Sequence, residues 1–145
     1  MAEAITKKIE LRVIAPTMAT DKSPYKFKKA VDMAIMRCTT GDMGILPGRV
    51  PVAMVLDTGI LRIYDEDQVK HMVVVNGIAN VNDDIITILS DCVQLPEEID
   101  TAKVSAELKE LQDLREKTTD LNEKQNYSKE IYRCKVQLEV AEYKK

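Results

Sequence analysis

The sequence predicts a chain in two parts: an N-terminal antiparallel β-sandwich followed by a C-terminal antiparallel two-helix hairpin. As far as Pro96, short apolar segments alternate with turn residues at intervals of roughly 8–12 residues, which is typical of antiparallel sandwiches and barrels. Every glycine and proline lies between Pro16 and Pro96, and the residues after Pro96 contain neither. Because these residues are the strongest interruptions of regular structure, we expect a sandwich domain at 1–96 and a helical domain at 97–145.

A first strand is predicted at Lys8–Ile14. Apolar residues alternate there with charged ones, which is the signature of a half-buried strand; they are Ile9, Leu11 and Val13. The following segment, Ala15–Lys29, contains two prolines and several charges. We therefore expect a loop, with a short strand near Tyr25–Phe27.

The next predicted strand, Ala30–Thr39, has an unusual pattern. Its first face carries Val31, Met33 and Ile35. The opposite face carries one charge, but its other residues are apolar: Ala34, Met36 and Cys38. A face this apolar indicates that the strand is covered on both sides or meets a partner.

Six further strands are predicted between residues 50 and 95. The first of them, Val50–Leu56, is continuously apolar apart from Pro51, which is typical of a strand covered on both faces. The acidic clusters at 65–67 and 83–84 are interpreted as solvated turns between strands. The remaining predicted strands are Ile60–Tyr64, Val69–Val75, Ile78–Val81, Ile85–Leu89 and Val93–Leu95.

A loop rich in glycine and proline, Gly41–Pro51, separates two of these strands. It contains three of the five glycines and two of the five prolines, so its backbone path is tightly specified. Composition alone favours a structural turn. The alternative is a rigid loop that presents Asp42, Met43 and Arg49 to a partner. No Gly-Lys-Ser/Thr follows, which argues against a phosphate-binding loop.

Two helices are predicted after Pro96. The first, at about Thr101–Lys117, starts at the N-cap Asp100 and has one apolar face: Val104, Leu108, Leu111 and Leu114 or Arg115. The second, at about Leu121–Tyr143, is capped by Thr119 or Asp120. Its predicted seam is Tyr127, Ile131, Cys134, Leu138 and Ala141, widened by Tyr132, Val136, Val140 and Tyr143. This hairpin has few apolar residues for its length, so it is only marginally stable alone and must lean on the sandwich or on a partner. It is either a permanent helical buttress or a movable switch.

Composition argues against several classes of protein. The net charge of −3, one Phe and no Trp disfavour a nucleic-acid binder. Three widely spaced cysteines and a single histidine, His71, disfavour a disulfide framework and a metal site and indicate a reducing compartment. No nucleophile or acid/base motif is recognisable, so we do not expect an enzyme. No apolar run is long enough for a signal peptide or a membrane span.

Residues 41–63 closely resemble the epsilon subunit of F-type ATP synthases. That family has a Gly-acidic-x-Gly-Ile-x-Pro-Gly-x-x-Pro loop, an apolar strand, a turn and an x-x-Arg-Ile strand. Here the loop is Gly-Asp-Met-Gly-Ile-Leu-Pro-Gly-Arg-Val-Pro, and the later segment is Val-Leu-Asp-Thr-Gly-Ile-Leu-Arg-Ile. The order of β domain and helices extends the resemblance over the whole chain. One departure is Arg49, where the family often has His.

The resemblance implies a non-catalytic central-stalk subunit. In that family the sandwich binds the gamma subunit and sits on the c-subunit ring, which here implies a c-ring-facing loop of Gly41, Asp42, Met43, Gly44 and Arg49. The hairpin moves about a hinge, here Pro96 and Glu97, and its extended form reaches the catalytic alpha/beta head and hinders ATP hydrolysis. We expect a regulatory basic face of Lys124, Lys129, Arg133 and Lys135. The implied location is peripheral, on the cytoplasmic face of the bacterial cell membrane.

Some members of that family bind ATP through an Ile/Leu-Asp-x-x-Arg-Ala motif. The matching segment here gives three candidate residues, Ile99, Asp100 and Lys103. Asp100 has a structural reason to be present as an N-cap, and Lys103 lacks the bidentate fork of arginine. We therefore predict weak ATP binding or none, and no other cofactor.

A competing interpretation is an autonomous β-sandwich binding module whose helices serve only for oligomerisation as a coiled coil. A stalk subunit is expected to be monomeric or weakly self-associating in isolation, which distinguishes the two.

Overall fold

The computed structural model describes residues 7–15 and 25–143. The chain forms two compact units, Met1–Val93 and Gln94–Lys145. The part of the predicted loop at 16–24 lies outside the described residues.

The first unit is built from one continuous sheet that curves into a near-barrel sandwich. The strands are β1 (Ile9–Ile14), β2 (Tyr25–Val31), β3 (Met33–Cys38), β4 (Gly41–Ile45), β5 (Val52–Leu56), β6 (Gly59–Asp65), β7 (Gln68–Val75), β8 (Gly77–Asn82), β9 (Ile85–Leu89) and β10 (Cys92–Gln94). Their order in the sheet is β10-β7-β6-β3-β5-β8-β9-β1-β2, with β4 paired to β3. The predicted antiparallel sandwich is confirmed, apart from β1 and β9, which pair in parallel.

Alternation along β1 places its apolar residues in the core, as predicted. Ile9, Leu11 and Val13 are fully buried. They face inward because successive strand residues point to opposite sides of the sheet.

The loop expected as far as Lys29 is wrong in its second half. Residues Tyr25–Val31 form the full strand β2, which pairs with β1 along its length. Lys28, Lys29 and Ala30 are exposed, so β2 lacks the apolar alternation that would have marked it as a strand.

The single strand predicted at Ala30–Thr39 is two strands separated by a bend at Asp32. The Asp32 amide donates to the Tyr64 carbonyl at 2.9 Å, and its carboxylate accepts from the Glu66 amide at 2.7 Å. The bend changes which residues face the core. Ala34, Met36 and Cys38 are buried, whereas Met33 and Ile35 are only half-buried.

Burial of β5 on both faces, expected from its continuous apolar sequence, is wrong. Val55 is 60% exposed and Ala53 is also exposed. The strand pairs along its whole length with β8 and meets β3 only at Leu56 and Cys38, and its outer face stays open.

The second unit is a hairpin of α1 (Thr101–Lys117) and α2 (Leu121–Ala141), preceded by a short 3₁₀ helix at Pro96–Glu98. The predicted caps are confirmed: Asp100 accepts from the Lys103 amide at 3.2 Å and Asp120 from the Asn122 amide at 2.9 Å. The predicted second stripe is half wrong, because Tyr132 and Tyr143 are exposed. The buried hairpin residues include Val104, Ile131, Cys134, Val136, Val140 and Ala141.

Candidate interaction surfaces

The first half of the predicted loop Gly41–Pro51 is a strand, β4, paired with β3 in a tight hairpin. The strand forms because β3 supplies a hydrogen-bonding partner, which the glycine content alone does not indicate. Asp42 lies opposite Arg37, with 3.3 Å between Oδ1 and Nη1, and both side chains are exposed. Asp42 and Met43 are adjacent in the strand and therefore point to opposite faces.

The second half, residues 46–51, is irregular and exposed apart from the half-buried Pro47. Gly48 has a φ of 85°, a left-handed conformation that favours glycine. Leu46 is 57% and Val50 71% exposed, and the Arg49 guanidinium between them lies 3.8 Å from the Met43 sulfur. The structure therefore brings Met43 and Arg49 together.

An unpredicted residue supports this segment. Asp84, in the turn between β8 and β9, accepts a hydrogen bond from the Gly48 amide at 2.7 Å, and its other carboxylate oxygen lies 2.9 Å from Lys7 Nζ. The Gly48 N–H, and secondly Lys7, hold the pKa of Asp84 below its ordinary value. The sequence identified Asp84 only as a turn residue, because a contact across 36 positions leaves no local pattern.

A second exposed surface is a row of apolar side chains across three strands. Val55 pairs with Ile78, and Ile78 pairs with Leu89. They are 60%, 55% and 46% exposed, respectively. We call Val55, Ile78 and Leu89 the apolar row. The sequence does not indicate this row, because it depends on how three strands pair; of its members, only Val55 lies in a strand that was predicted to be covered on both faces.

The candidate hinge and nucleotide residues lie in the segment that leads into α1. Pro96 and Glu97 form the 3₁₀ turn. Ile99 is 2% exposed, and the Asp100 carboxylate is engaged as the cap of α1. Lys103 is exposed. Ile99 and Asp100 thus each have a structural role.

The expected basic face on α2 is not a single face. At 100° per residue, Lys124 and Arg133 lie on opposite sides of the helix, and Lys129 and Lys135 are also well separated from each other. Arg133 is engaged by two carboxylates, with 2.8 Å from Nη2 to Glu107 and 2.8 Å to Glu130.

Among residues 7–15 and 25–143, no group of three or more histidine, cysteine or acidic side chains is arranged to hold a metal ion. None of the helices in this part of the chain has the length and apolar character needed to cross a membrane.

Residues 9–95 match the family model described as ATP synthase, Delta/Epsilon chain, beta-sandwich domain. The chain belongs to this family. The resemblance carried by residues 41–63 is therefore confirmed.

Curated relatives in the ATP synthase epsilon family extend the similarity beyond the sandwich. The chain is similar to an ATP synthase epsilon chain of Rippkaea orientalis, at 31% identity over 136 residues, covering 92% of this chain and 96% of the relative. An ATP synthase epsilon chain of Synechococcus sp. (strain WH7803) is 33% identical over 100 residues, which cover 69% of each chain.

Solved structures share the family fold. A chain in the cryo-EM structure of the Euglena gracilis mitochondrial ATP synthase (OSCP/F1/c-ring) aligns with a TM-score of 0.73 at 22% identity. The alignment covers 93% of this chain and 82% of that one. A chain in the central stalk/c-ring structure of the Tetrahymena thermophila mitochondrial ATP synthase aligns with a TM-score of 0.55 at 16% identity, covering 92% and 95%.

Proposed function

We propose that this chain is a non-catalytic central-stalk subunit of an F-type ATP synthase, which couples rotation of the c-subunit ring to the catalytic alpha/beta head. The observation that carries the proposal is the similarity to an epsilon chain along 92% of this chain, including the helical unit. The proposed location is peripheral, on the cytoplasmic face of a bacterial cell membrane. The ring carries the coupling ion, proton or sodium.

The surface proposed to face the c-ring is the segment from Gly41 to Val50. Its support is exposure with a fixed geometry: Asp42 projects from a paired strand, while Leu46, Arg49 and Val50 project from the following turn. A rigid loop of this kind loses little conformational entropy when it binds, which favours a stable contact with the ring.

Crosslinking in the assembled synthase tests this orientation. Asp42→Cys, in a chain whose three native cysteines are replaced, should form an oxidative crosslink with a cysteine in the polar loop of the c subunit. The matched control is Asp67→Cys, an exposed acidic residue in the turn between β6 and β7. Crosslinking only from the control position, or only to gamma or the catalytic head, would contradict this orientation of the loop.

The apolar row is the surface we propose for the gamma subunit. Three exposed aliphatic side chains in register on a rigid sheet form a patch that is stabilised when a partner covers it. Ile78→Asp should therefore weaken recovery of gamma with this chain. Asn80→Asp is the matched control, since Asn80 is exposed on the same face of β8, two residues along. Equal recovery of gamma with both variants would place the gamma contact elsewhere.

The helical unit is proposed to regulate ATP hydrolysis by moving about Pro96 and Glu97 and reaching the catalytic head. Support comes from the thin core of α1, in which Val104 is buried while most residues are exposed. An element with few buried contacts can leave its resting position at low free-energy cost. Deleting residues 97–145 should leave a subunit that still assembles with gamma, and hydrolysis by the complex should rise or stay level. A fall in hydrolysis with the subunit content intact would contradict an inhibitory role.

A further inference from the structure

The turn at Pro47–Gly48 lies among three exposed side chains of the c-ring-facing segment. It follows β4 and precedes β5, and it is flanked by Leu46 on one side and Arg49 and Val50 on the other. The prolines in this segment lack an N–H and cannot donate backbone hydrogen bonds. Gly48 has open space around a hypothetical Cβ, so the residue is required by its φ of 85° and not by crowding.

The Gly48 N–H is held from outside the segment. It donates to Asp84 at 2.7 Å, a bond that crosses 36 positions of sequence. A carboxylate acceptor makes such a bond shorter and stronger than a neutral oxygen would. The second carboxylate oxygen is paired with the exposed Lys7.

The base from which Asp84 acts is itself rigid. Asp83 and Asp84 have φ values of 51° and 57° and form the tight turn between β8 and β9. Those two strands pair with each other from the pair Ile78–Leu89 to the pair Asn82–Ile85, in the body of the sheet. The position of Asp84 is therefore set by the sheet, and the hydrogen bond transfers that position to Gly48.

We infer that Asp84 is a positioning residue for ring contact, which holds the Pro47–Gly48 turn so that Leu46, Arg49 and Val50 are presented together. The inference rests on the proposed function, because it assumes that this segment faces the c-ring. It adds a residue outside the loop motif, and it predicts that the orientation of the loop depends on a side chain in another hairpin.

Two substitutions at position 84 distinguish the effect of losing the hydrogen bond from the effect of changing the backbone conformation of the turn. Asp84→Gly removes the acceptor and still allows the left-handed φ, whereas Asp84→Asn keeps an acceptor oxygen and also tolerates that φ. Asp83→Gly is the matched control, because it changes the neighbouring left-handed residue and leaves the Gly48 contact in place.

The first readout is hydrogen exchange of the Gly48 amide in the full chain, measured by NMR. Loss of a hydrogen bond to a charged group should accelerate exchange in Asp84→Gly about tenfold or more. Exchange in Asp84→Asn should fall between those of Asp84→Gly and the unsubstituted chain, because a neutral oxygen accepts a weaker bond than a carboxylate. Asp83→Gly should leave the exchange rate unchanged. Unchanged exchange in Asp84→Gly would overturn the inference.

The second readout is the rate of disulfide formation between Arg49→Cys and a cysteine in the c-subunit loop of the assembled synthase. Asp84→Gly should slow it severalfold, Asp84→Asn should restore it, and Asp83→Gly should not change it. Faster Gly48 exchange with an unchanged crosslinking rate would also overturn the inference. Absence of any crosslink from position 49 with Asp84 intact would instead contradict the proposed orientation of the loop, and Gly48 exchange alone would then decide the role of Asp84.

Discussion

The side-chain amide of Gln137 on α2 donates a hydrogen bond to the side-chain carbonyl of Gln94, with 2.6 Å between the two atoms. Gln137 is only 8% exposed, and its own carbonyl oxygen has no hydrogen-bond partner among the described residues. The contact joins α2 to the segment that precedes α1. It therefore contributes to the stability of the helical unit itself.

Gln94→Leu should destabilise α2, because it leaves the buried amide of Gln137 without an acceptor. We expect a loss of about 1–3 kcal/mol in local stability, visible as faster amide exchange along α2. The double variant Gln94→Leu, Gln137→Leu should recover most of the loss, since removing both partners leaves nothing unpaired. Gln125→Leu, at an exposed position of the same helix, is the control. A double variant as unstable as the single one would show that the hydrogen bond is unimportant.

Gly77→Ala should destabilise the sandwich more than Gly41→Ala. Both glycines have positive φ, 143° and 124°, so both substitutions introduce backbone strain. Only at Gly77 would the added Cβ collide with backbone, namely the Leu89 carbonyl oxygen. Strained conformations cost about 1–3 kcal/mol each, and the collision adds to this. Urea unfolding measures the difference, and equal midpoints would contradict the tight approach of β8 and β9.

The ion cluster around Asp65 predicts a pH-dependent contribution to stability. Hydrogen bonds from Lys29 and then Lys8 lower the pKa of Asp65 from its ordinary value of 3.8. A lowered folded pKa means that the unfolded chain binds the proton first as pH falls. The contribution of Asp65 is therefore fully present well above pH 3.8, and it is lost as pH falls through the folded pKa.

Asp65→Asn should accordingly lower the melting temperature at pH 7, and the difference from the unsubstituted chain should shrink below about pH 4. Asp67→Asn, at the exposed tip of the same hairpin, should have little effect at either pH. Thermal melts followed by circular dichroism at several pH values measure both. A difference between the Asp65 variant and the unsubstituted chain that does not change with pH would mean that Asp65 acts through packing and not through charge.

Local signals predicted the elements that depend on neighbouring residues. The first helix has the predicted bounds, Thr101–Lys117. Its ends are set by adjacent residues, the N-cap Asp100 and the C-cap Thr118. The strand β9 also has its predicted bounds, since its alternation lies between clear turn residues. Capping and alternation act over one or two turns of chain, so a single sequence contains them.

The features that the sequence missed depend on distant partners. Gly41–Ile45 is a strand only because β3 lies beside it. The exposure of Val55 depends on which face of the curved sheet points into the core, and a continuous apolar sequence does not specify that face. Asp84 is part of the candidate site through a contact across 36 positions. Each case is set by the topology of the whole sheet.

Nucleotide binding by the isolated chain should be weak or absent. The Asp100 carboxylate already accepts a hydrogen bond from the Lys103 amide, and Ile99 is buried. Neither residue is therefore available to a nucleotide without rearrangement. Lys103 supplies one charge but no bidentate fork. Calorimetric titration with ATP should show a dissociation constant no tighter than millimolar. Micromolar affinity would contradict this prediction, and Lys103→Ala would then test whether Lys103 carries the binding.

The most direct test of the central claim is affinity purification of the tagged chain from its source cells, followed by identification and quantification of what remains bound. A central-stalk subunit should be recovered with gamma, alpha, beta and c subunits in a complex that hydrolyses ATP, and with one copy of this chain for each gamma. Recovery of the chain as a stable homo-oligomer without these subunits would contradict the account and would favour an autonomous binding module.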